Sequence, residues 1–222
     1  LTYNYIRIGG VGYDILPETC TRISEFLDHF EPIVDEFNRL LSYNKIFIQR
    51  LASVAVVSKE DAFSYNLVGP NLRGCGIKWD IRRDIPYSVY PELEFEVPVG
   101  TGRVGTLGDS YDRYWVRIRE LQESCKIVRQ CLKMLPKGPA IAKVPRKFKP
   151  PVGECYARVE APRGDMGFYV VSDGSEYPYR VRIRTGSFTA MSIIDKLSKG
   201  IMVADLIALI GSLDVDAPEI DR

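Results

Sequence analysis

The stretch Glu160-Ala161-Pro162-Arg163-Gly164-Asp165-Met166-Gly167 concentrates charge where the chain has to turn. Pro162 fixes one backbone angle and the glycines permit others, so the stretch reads as a tight connection between strands. Such turns need only small or polar residues. Here Glu160, Arg163 and Asp165 crowd the turn, which marks it as a candidate site. A second concentration of charge lies in the tail, where Asp214, Asp216, Glu219 and Asp221 place four carboxylates within eight residues. A calcium loop would need EF-hand spacing and a central glycine, and both are missing, so an ordinary acidic terminus is the default.

Thiol and imidazole chemistry is sparse. The five cysteines, Cys20, Cys75, Cys125, Cys131 and Cys155, are odd in number, and no two are separated by two residues. Neither a zinc ribbon nor an iron–sulfur cluster is encoded, and reduced, mostly buried thiols are the plain reading. His29 is the one histidine and reads as a surface or interface imidazole. Val68 to Gly76 is rich in helix breakers and predicts a loop. It is no phosphate cradle, because Ile77-Lys78-Trp79-Asp80 follows where Lys-Ser/Thr and a helix would be needed. Cys75, between two glycines, reads as a packed small residue rather than a reactive thiol.

The elements that must position these groups follow from periodicity. Tyr3 to Ile8 alternates and ends at glycines. Pro17 and Glu18 open a helical pattern with Ile23, Phe26, Leu27 and Phe30 on one face, which Glu31-Pro32 kinks or restarts. Asn44 to Leu51 predicts a further helix, and Ala52 to Val57 an extended run. Asp80 to Tyr90 suits an irregular surface or interface segment, and Glu92 to Val97 a half-exposed strand. Gly100 to Gly108 is a glycine-rich connection.

The clearest helix carries Tyr114, Ile118, Leu121, Cys125, Val128, Leu132 and Leu135 in a seven-residue seam, with Asp109 and Asp112 favouring its start and Pro136 its end. Arg113, Arg117, Arg119 and Arg129 then fall at solvated or subunit-facing positions. Lys143 to Pro151 is a basic connector. Strands are expected at Cys155 to Glu160, Phe168 to Ser172 and Tyr179 to Arg184. In the third, Val181 and Ile183 face inward, and the arginine row is either a solvated face or a contact surface for an acidic partner. Met191 to Leu197 and Val203 to Ile210 predict two short closing helices. The expected fold is α+β, a long helix and shorter helices packed with a small antiparallel sheet, in a single domain over residues 1–222.

Bulk composition bounds the function. Thirty basic and 29 acidic residues leave a net charge of +1, which argues against generic nucleic-acid binding. No apolar run approaches the roughly 20 residues of a membrane span. A start at Leu1 with no leader pattern reads as a fragment of a longer polypeptide.

Several stretches together resemble the D-type subunit family of respiratory complex I, the proton-pumping NADH:quinone oxidoreductase. They are Tyr5-Ile6-Arg7-Ile8-Gly9-Gly10-Val11, Leu72-Arg73 with Gly76, Val116-Arg117-Ile118-Arg119-Glu120, Glu160 to Asp165, Val171-Ser172-Asp173-Gly174 and Asp221-Arg222. The resemblance runs from end to end and implies the C-terminal portion of that subunit. The family is also similar to the large subunit of nickel–iron hydrogenases, whose metal is held by a Cys-x-x-Cys pair near the C-terminus. Asp216 and Glu219 stand where those thiolates would be, and hard carboxylates substitute poorly for them. Arg163 matches the arginine that hydrogenases place beside their metal.

The resemblance implies a quinone-site subunit that takes quinone as substrate. It implies electrons from an iron–sulfur cluster in a neighbouring subunit, and no metal or cluster in this chain. It also implies a histidine and a tyrosine proton donor preceding residue 1. Arg163, Asp214, Asp216, Glu219 and Arg222 are the implied cavity residues, the arginines staying charged and the clustered carboxylates able to carry protons. Structural ion pairs are the competing role for the same residues. Implied partners are the iron–sulfur subunit, a neighbouring C-type subunit and membrane-arm subunits, at the cytoplasmic side of the cell membrane as a peripheral part of the complex. Gly74-Cys75 departs from the family's Ala-Ser, and the linker from Pro136 to Pro151 is short. Both departures keep open an archaeal-type or hydrogenase-related complex with another electron donor, and a metal-free docking scaffold.

Overall fold

Residues 4–145 and 147–221 are described in the computed structural model. The chain opens with a minimal hairpin, β1 (Ile6–Arg7) and β2 (Gly10–Val11), and enters helix α1 (Pro17–Phe37). Pro17 sits in the first turn of α1, where its missing N–H would have no partner anyway. The expected restart at Glu31-Pro32 does not occur, because Pro32 lies inside the same helix. Pro32 is on the exposed face, where the carbonyl it leaves unpaired meets water, while Leu27 and Val34 stay buried on the other face. Helices α2 (Lys45–Leu51) and α3 (Lys59–Ser64) follow, capped by the side chains of Asn44 and Ser58. Between them Ser53 and Ala55 take positive φ, so Ala52 to Val57 is not a strand.

The segment from Val68 to Gly76 is a helix, α4 (Gly69–Gly74), rather than the expected loop. Its breakers mark the helix ends: Gly69 at φ +58° and Pro70 open it, and Gly76 at φ +76° closes it. Asp80 to Tyr90 is likewise no surface segment at its start. Asp80 is fully buried and caps a short helix, α5 (Ile81–Asp84). In Glu92 to Val97 the expected alternation is present, with Leu93, Phe95 and Val97 buried, but no strand forms. The amides of Glu94 and Glu96 donate instead to Gln130 (2.8 Å) and Glu123 (2.9 Å), so helix side chains replace a neighbouring strand.

Those side chains belong to α6 (Ser110–Lys133), capped by the Asp109 carboxylate and packed against α1 and α4. Ile118 and Cys125 of the expected seam are buried, whereas Leu121 and Val128 are exposed. Arg113 reverses its expectation and is wholly buried. Its guanidinium donates to the Gly108 carbonyl (2.7 Å), the Ala55 carbonyl (3.1 Å) and the hydroxyls of Ser110 (2.9 Å) and Ser212 (3.0 Å). Burial pushes it down to about 10, which leaves it charged near neutral pH. Arg129 behaves as a surface residue and ties α6 to α1 through Asp28 and Glu31.

Beyond the exposed connector lies an antiparallel sheet in the order β3 (Gly153–Ala161), β4 (Gly164–Ser172), β5 (Arg180–Arg184). The strands run further than expected, so Glu160 pairs with Asp165 and only Pro162 and Arg163 form the loop. The first expected closing helix is split into α7 (Gly186–Ser192) and α8 (Ile194–Leu197). Helices α9 (Val203–Leu213) and α10 (Ala217–Ile220) complete an α+β fold. The main core joins Leu67, Leu72 and Cys75 to Ile193, Leu209 and Leu213. Burial there pushes the Cys75 thiol up to about 11, as fits a packed residue.

Gly69 touches the sheet backbone to backbone. A β-carbon at Gly69 would lie 2.7 Å from the Gly164 nitrogen and 2.8 Å from the Arg163 carbonyl oxygen. Gly69→Ala therefore combines a left-handed backbone with a backbone clash, and should destabilise the chain by roughly 2–3 kcal/mol. A lowered urea midpoint measures the loss, and an unchanged midpoint would contradict this contact.

Candidate functional site

The Pro162-Arg163 turn is held on both sides by backbone. Gly69 meets it from the start of α4, and Gly186 meets it from the start of α7, where a β-carbon would lie 2.9 Å from the Arg163 carbonyl carbon. This clamp aims the Arg163 side chain at Asp214. Its Nε lies 3.6 Å from the Asp214 carboxylate and donates to the Asp214 carbonyl (3.4 Å). Asp214 turns the chain out of α9 in a left-handed conformation, φ 52°. Arg117 reaches the same carboxylate from α6, with its Nε 3.5 Å away. Its other nitrogens donate to the carbonyls of Ser212 (2.7 Å) and Leu213 (3.1 Å), at the C-terminal end of α9, and to the Asn71 side chain (3.0 Å). Burial pushes Arg117 down to about 10, against the opposing pull of Asp214.

A second ionic cluster lies behind the first. Arg73 of α4 is almost wholly buried and contacts Glu120 of α6 at 2.6 Å, Glu160 of β3 at 2.8 Å and Asp80 at 3.4 Å. Arg82 of α5 grips Asp80 through two nitrogens (2.9 and 2.6 Å) and reaches Glu120 at 3.2 Å. Burial acts to lower Arg82, but Asp80, Glu120 and Glu160 outweigh it and raise it above the ordinary arginine value. Glu160 moves the other way from a usual ion-paired acid. Burial raises its pKa, because Arg73 is shared with two other carboxylates and Asp80 repels it.

Arg73, Arg82, Arg117, Glu120, Glu160 and Asp214 line one cleft of about 360 Å³, with Leu121, Ala161 and Pro162 as its apolar wall. Of the residues singled out in the sequence, Asp214 lines this cleft, and Arg163 contacts Asp214 from beside it. Asp216 and Glu219 do not join them. The Asp216 amide donates to Ser187 (3.1 Å), and the Glu219 carboxylate accepts from the Ser187 hydroxyl (2.5 Å), which ties the tail to the start of α7. Arg222 lies outside the described residues. Sequence reasoning singled out Glu160 as part of the charged turn but did not assign Arg73, Arg82, Arg117 or Glu120 to the cavity. The available signal was charge within the otherwise apolar frames Leu72-Arg73 and Val116 to Glu120. Among the described residues no group of three or more His, Cys, Asp or Glu is placed to hold a metal ion.

A family model described as "Respiratory-chain NADH dehydrogenase, 49 Kd subunit" matches residues 1–222. The chain belongs to that family. It is 59% identical over 222 residues to a D-type NADH-quinone oxidoreductase subunit, numbered 2, of Anaeromyxobacter dehalogenans, covering 100% of this chain and 59% of the relative. It is 56% identical over 225 residues to the D-type subunit, also numbered 2, of Sorangium cellulosum, covering 100% of this chain and 58% of the relative. The D-type NADH-quinone oxidoreductase subunit of Chlorobaculum tepidum is 45% identical over 226 residues, again with all of this chain and 56% of the relative covered. The chain thus spans less than two thirds of the length of these relatives. In this family member the charged turn and the α9 terminus meet across α6.

The raised pKa of Glu160 sets a pH dependence. The folded chain holds that proton to higher pH than the unfolded chain does, so stability falls as pH rises from the ordinary glutamate range through the folded value. Glu160→Gln keeps a hydrogen-bond acceptor for Arg73 and removes the titration. Its urea stability should therefore fall less with pH than that of the parent chain, and parallel pH profiles would contradict the assignment.

Proposed function

We propose that this chain is the part of a D-type complex I subunit that walls the quinone chamber and helps reduce quinone with electrons from an iron–sulfur cluster in a neighbouring subunit. The observation that carries this reading is the charge layout in and directly behind the cleft lining. Arg117 and Arg163 share one carboxylate, Asp214, which leaves an excess of positive charge on that side. Arg73 and Arg82 face three carboxylates, Asp80, Glu120 and Glu160, which leaves an excess of negative charge on the other.

Quinone reduction to quinol takes two electrons and two protons. Negative charge builds on the quinone oxygens until the protons arrive, and fixed guanidiniums stabilise it best where water is scarce. Arg163 and Arg117 are suited to that task because the turn clamp and the α9 carbonyls hold them in place. Leu121, Ala161 and Pro162 offer apolar surface for the ring. The proton-donating side chains lie outside this chain in the proposed scheme. The relatives' names support an NADH-linked complex with partner subunits as the setting, and the proposal places this chain peripherally on its membrane. Among the described residues no helix is long and apolar enough to cross a membrane.

In the intact complex, Arg163→Ala should lower the quinone reductase rate per assembled complex by about tenfold or more, and Arg163→Lys should restore part of it through charge alone. Activity that falls only in proportion to the amount of assembled complex would assign Arg163 a structural role. The purified 222-residue chain should reduce no quinone with a simple donor, and turnover by it would contradict the proposal.

A further inference from the structure

The β3–β4–β5 sheet leaves much of its apolar face exposed. Its register places Cys155, Ala157, Val159, Phe168, Val170 and Val181 on one face. The opposite face carries Arg158, Glu160, Asp165, Arg182 and Arg184 together with Tyr156, Tyr169 and Val171, with Glu160 and Asp165 held in ion pairs. A half-buried sheet normally turns its apolar face to the core and its polar face to water. Here the polar face meets the rest of the protein near the turn, through Glu160 on Arg73. Much of the apolar face is exposed: Cys155 and Ala157 are exposed and Val159, Phe168 and Val181 are 42%, 39% and 42% exposed, while Met166, Val170 and Ile183 on the same face are half-buried.

We infer that this apolar face is covered by a further segment of the same polypeptide, one lying beyond these 222 residues in a chain as long as the relatives. Two observations select that occupant. First, the chain spans 59% of the length of the Anaeromyxobacter relative, so roughly two fifths of such a chain remains to be placed. Second, the face is small. Two strands of nine residues and one of five, at ~3.3 Å per residue and ~4.8 Å per strand, give about 360 Å². A stable interface between separate proteins needs about 800 Å² from each partner. A layer less than half that size suits a tethered segment, whose effective concentration is high without a large contact. Coverage of this face is independent of which donor or quinone the complex uses.

Cys155 reports on the face directly. In the full-length polypeptide expressed alone, maleimide modification of Cys155, read by mass spectrometry of its peptide, should be at least about tenfold slower in the native than in the urea-denatured protein. The protection should be independent of concentration and unchanged in the intact complex. Equal rates in native and denatured protein would leave the face open and overturn the inference. Protection that appears only after other subunits assemble would assign the face to one of those partners. Protection lost on dilution together with a dimer would assign it to a second copy. Either result overturns the inference as well. If the lone polypeptide fails to fold, a photoreactive phenylalanine analogue at Val159 in the intact complex decides the matter. A crosslink within the same polypeptide supports the inference, and a crosslink to another subunit, or none, overturns it.

Discussion

Arg73 is almost wholly buried, yet its guanidinium meets carboxylates from three separate parts of the chain: Asp80 before α5, Glu120 on α6 and Glu160 on β3. Burying charge is costly unless each charge is paired, and removing one partner from such a cluster costs roughly 3–5 kcal/mol because the others are left uncompensated. The arrangement is therefore cooperative. The hairpin reaches its place because Gly69 and Gly186 admit its backbone, and Glu160 then locks to Arg73. Only with the hairpin seated does Arg163 come within reach of Asp214.

The same cluster gives the cleft its electrical asymmetry. Four arginines and four carboxylates balance overall, but they are not evenly mixed. The side built on Arg117 and Arg163 favours an anionic guest. The side built on Asp80, Glu120 and Glu160 favours a bound proton, in keeping with the upward shift of Glu160. Folding alone does not require an uneven layout of this kind, since a well-packed apolar set can replace a whole buried ionic cluster at similar stability. It is the sort of arrangement that a reaction separating electrons from protons can use.

Much of the scaffold was legible in the residues. The long helix, the three strands and the charged turn follow from periodicity and turn chemistry. The failures share one cause: sequence patterning describes a residue's own element and says little about what packs against it. Gly69 and Pro70 looked like loop residues, but the glycine is there because a hairpin backbone touches it. Arg113 fell on a polar stripe of α6, but the Gly108 and Ala55 carbonyls and the Ser212 hydroxyl surround that stripe. Glu92 to Val97 alternated like a strand, but its amides found helix side chains. Arg163 and Asp214, both named through the resemblance, contact each other, whereas Asp216 and Glu219 fasten the tail to Ser187. The Arg73 cluster spans residues 73 to 160, so charge in the Leu72-Arg73 and Val116 to Glu120 frames marks single members without showing that they meet.

The central claim is that the cleft between α6, the Arg163 turn and the end of α9 is a wall of the quinone chamber. Photolabelling of the intact complex with a photoreactive quinone, followed by peptide mapping, tests it most directly. The account predicts label on peptides carrying Leu121 or Ser124, Pro162, or Asp214, and competition by unlabelled quinone. Specific label confined to other parts of the complex, with none on these peptides, would contradict it.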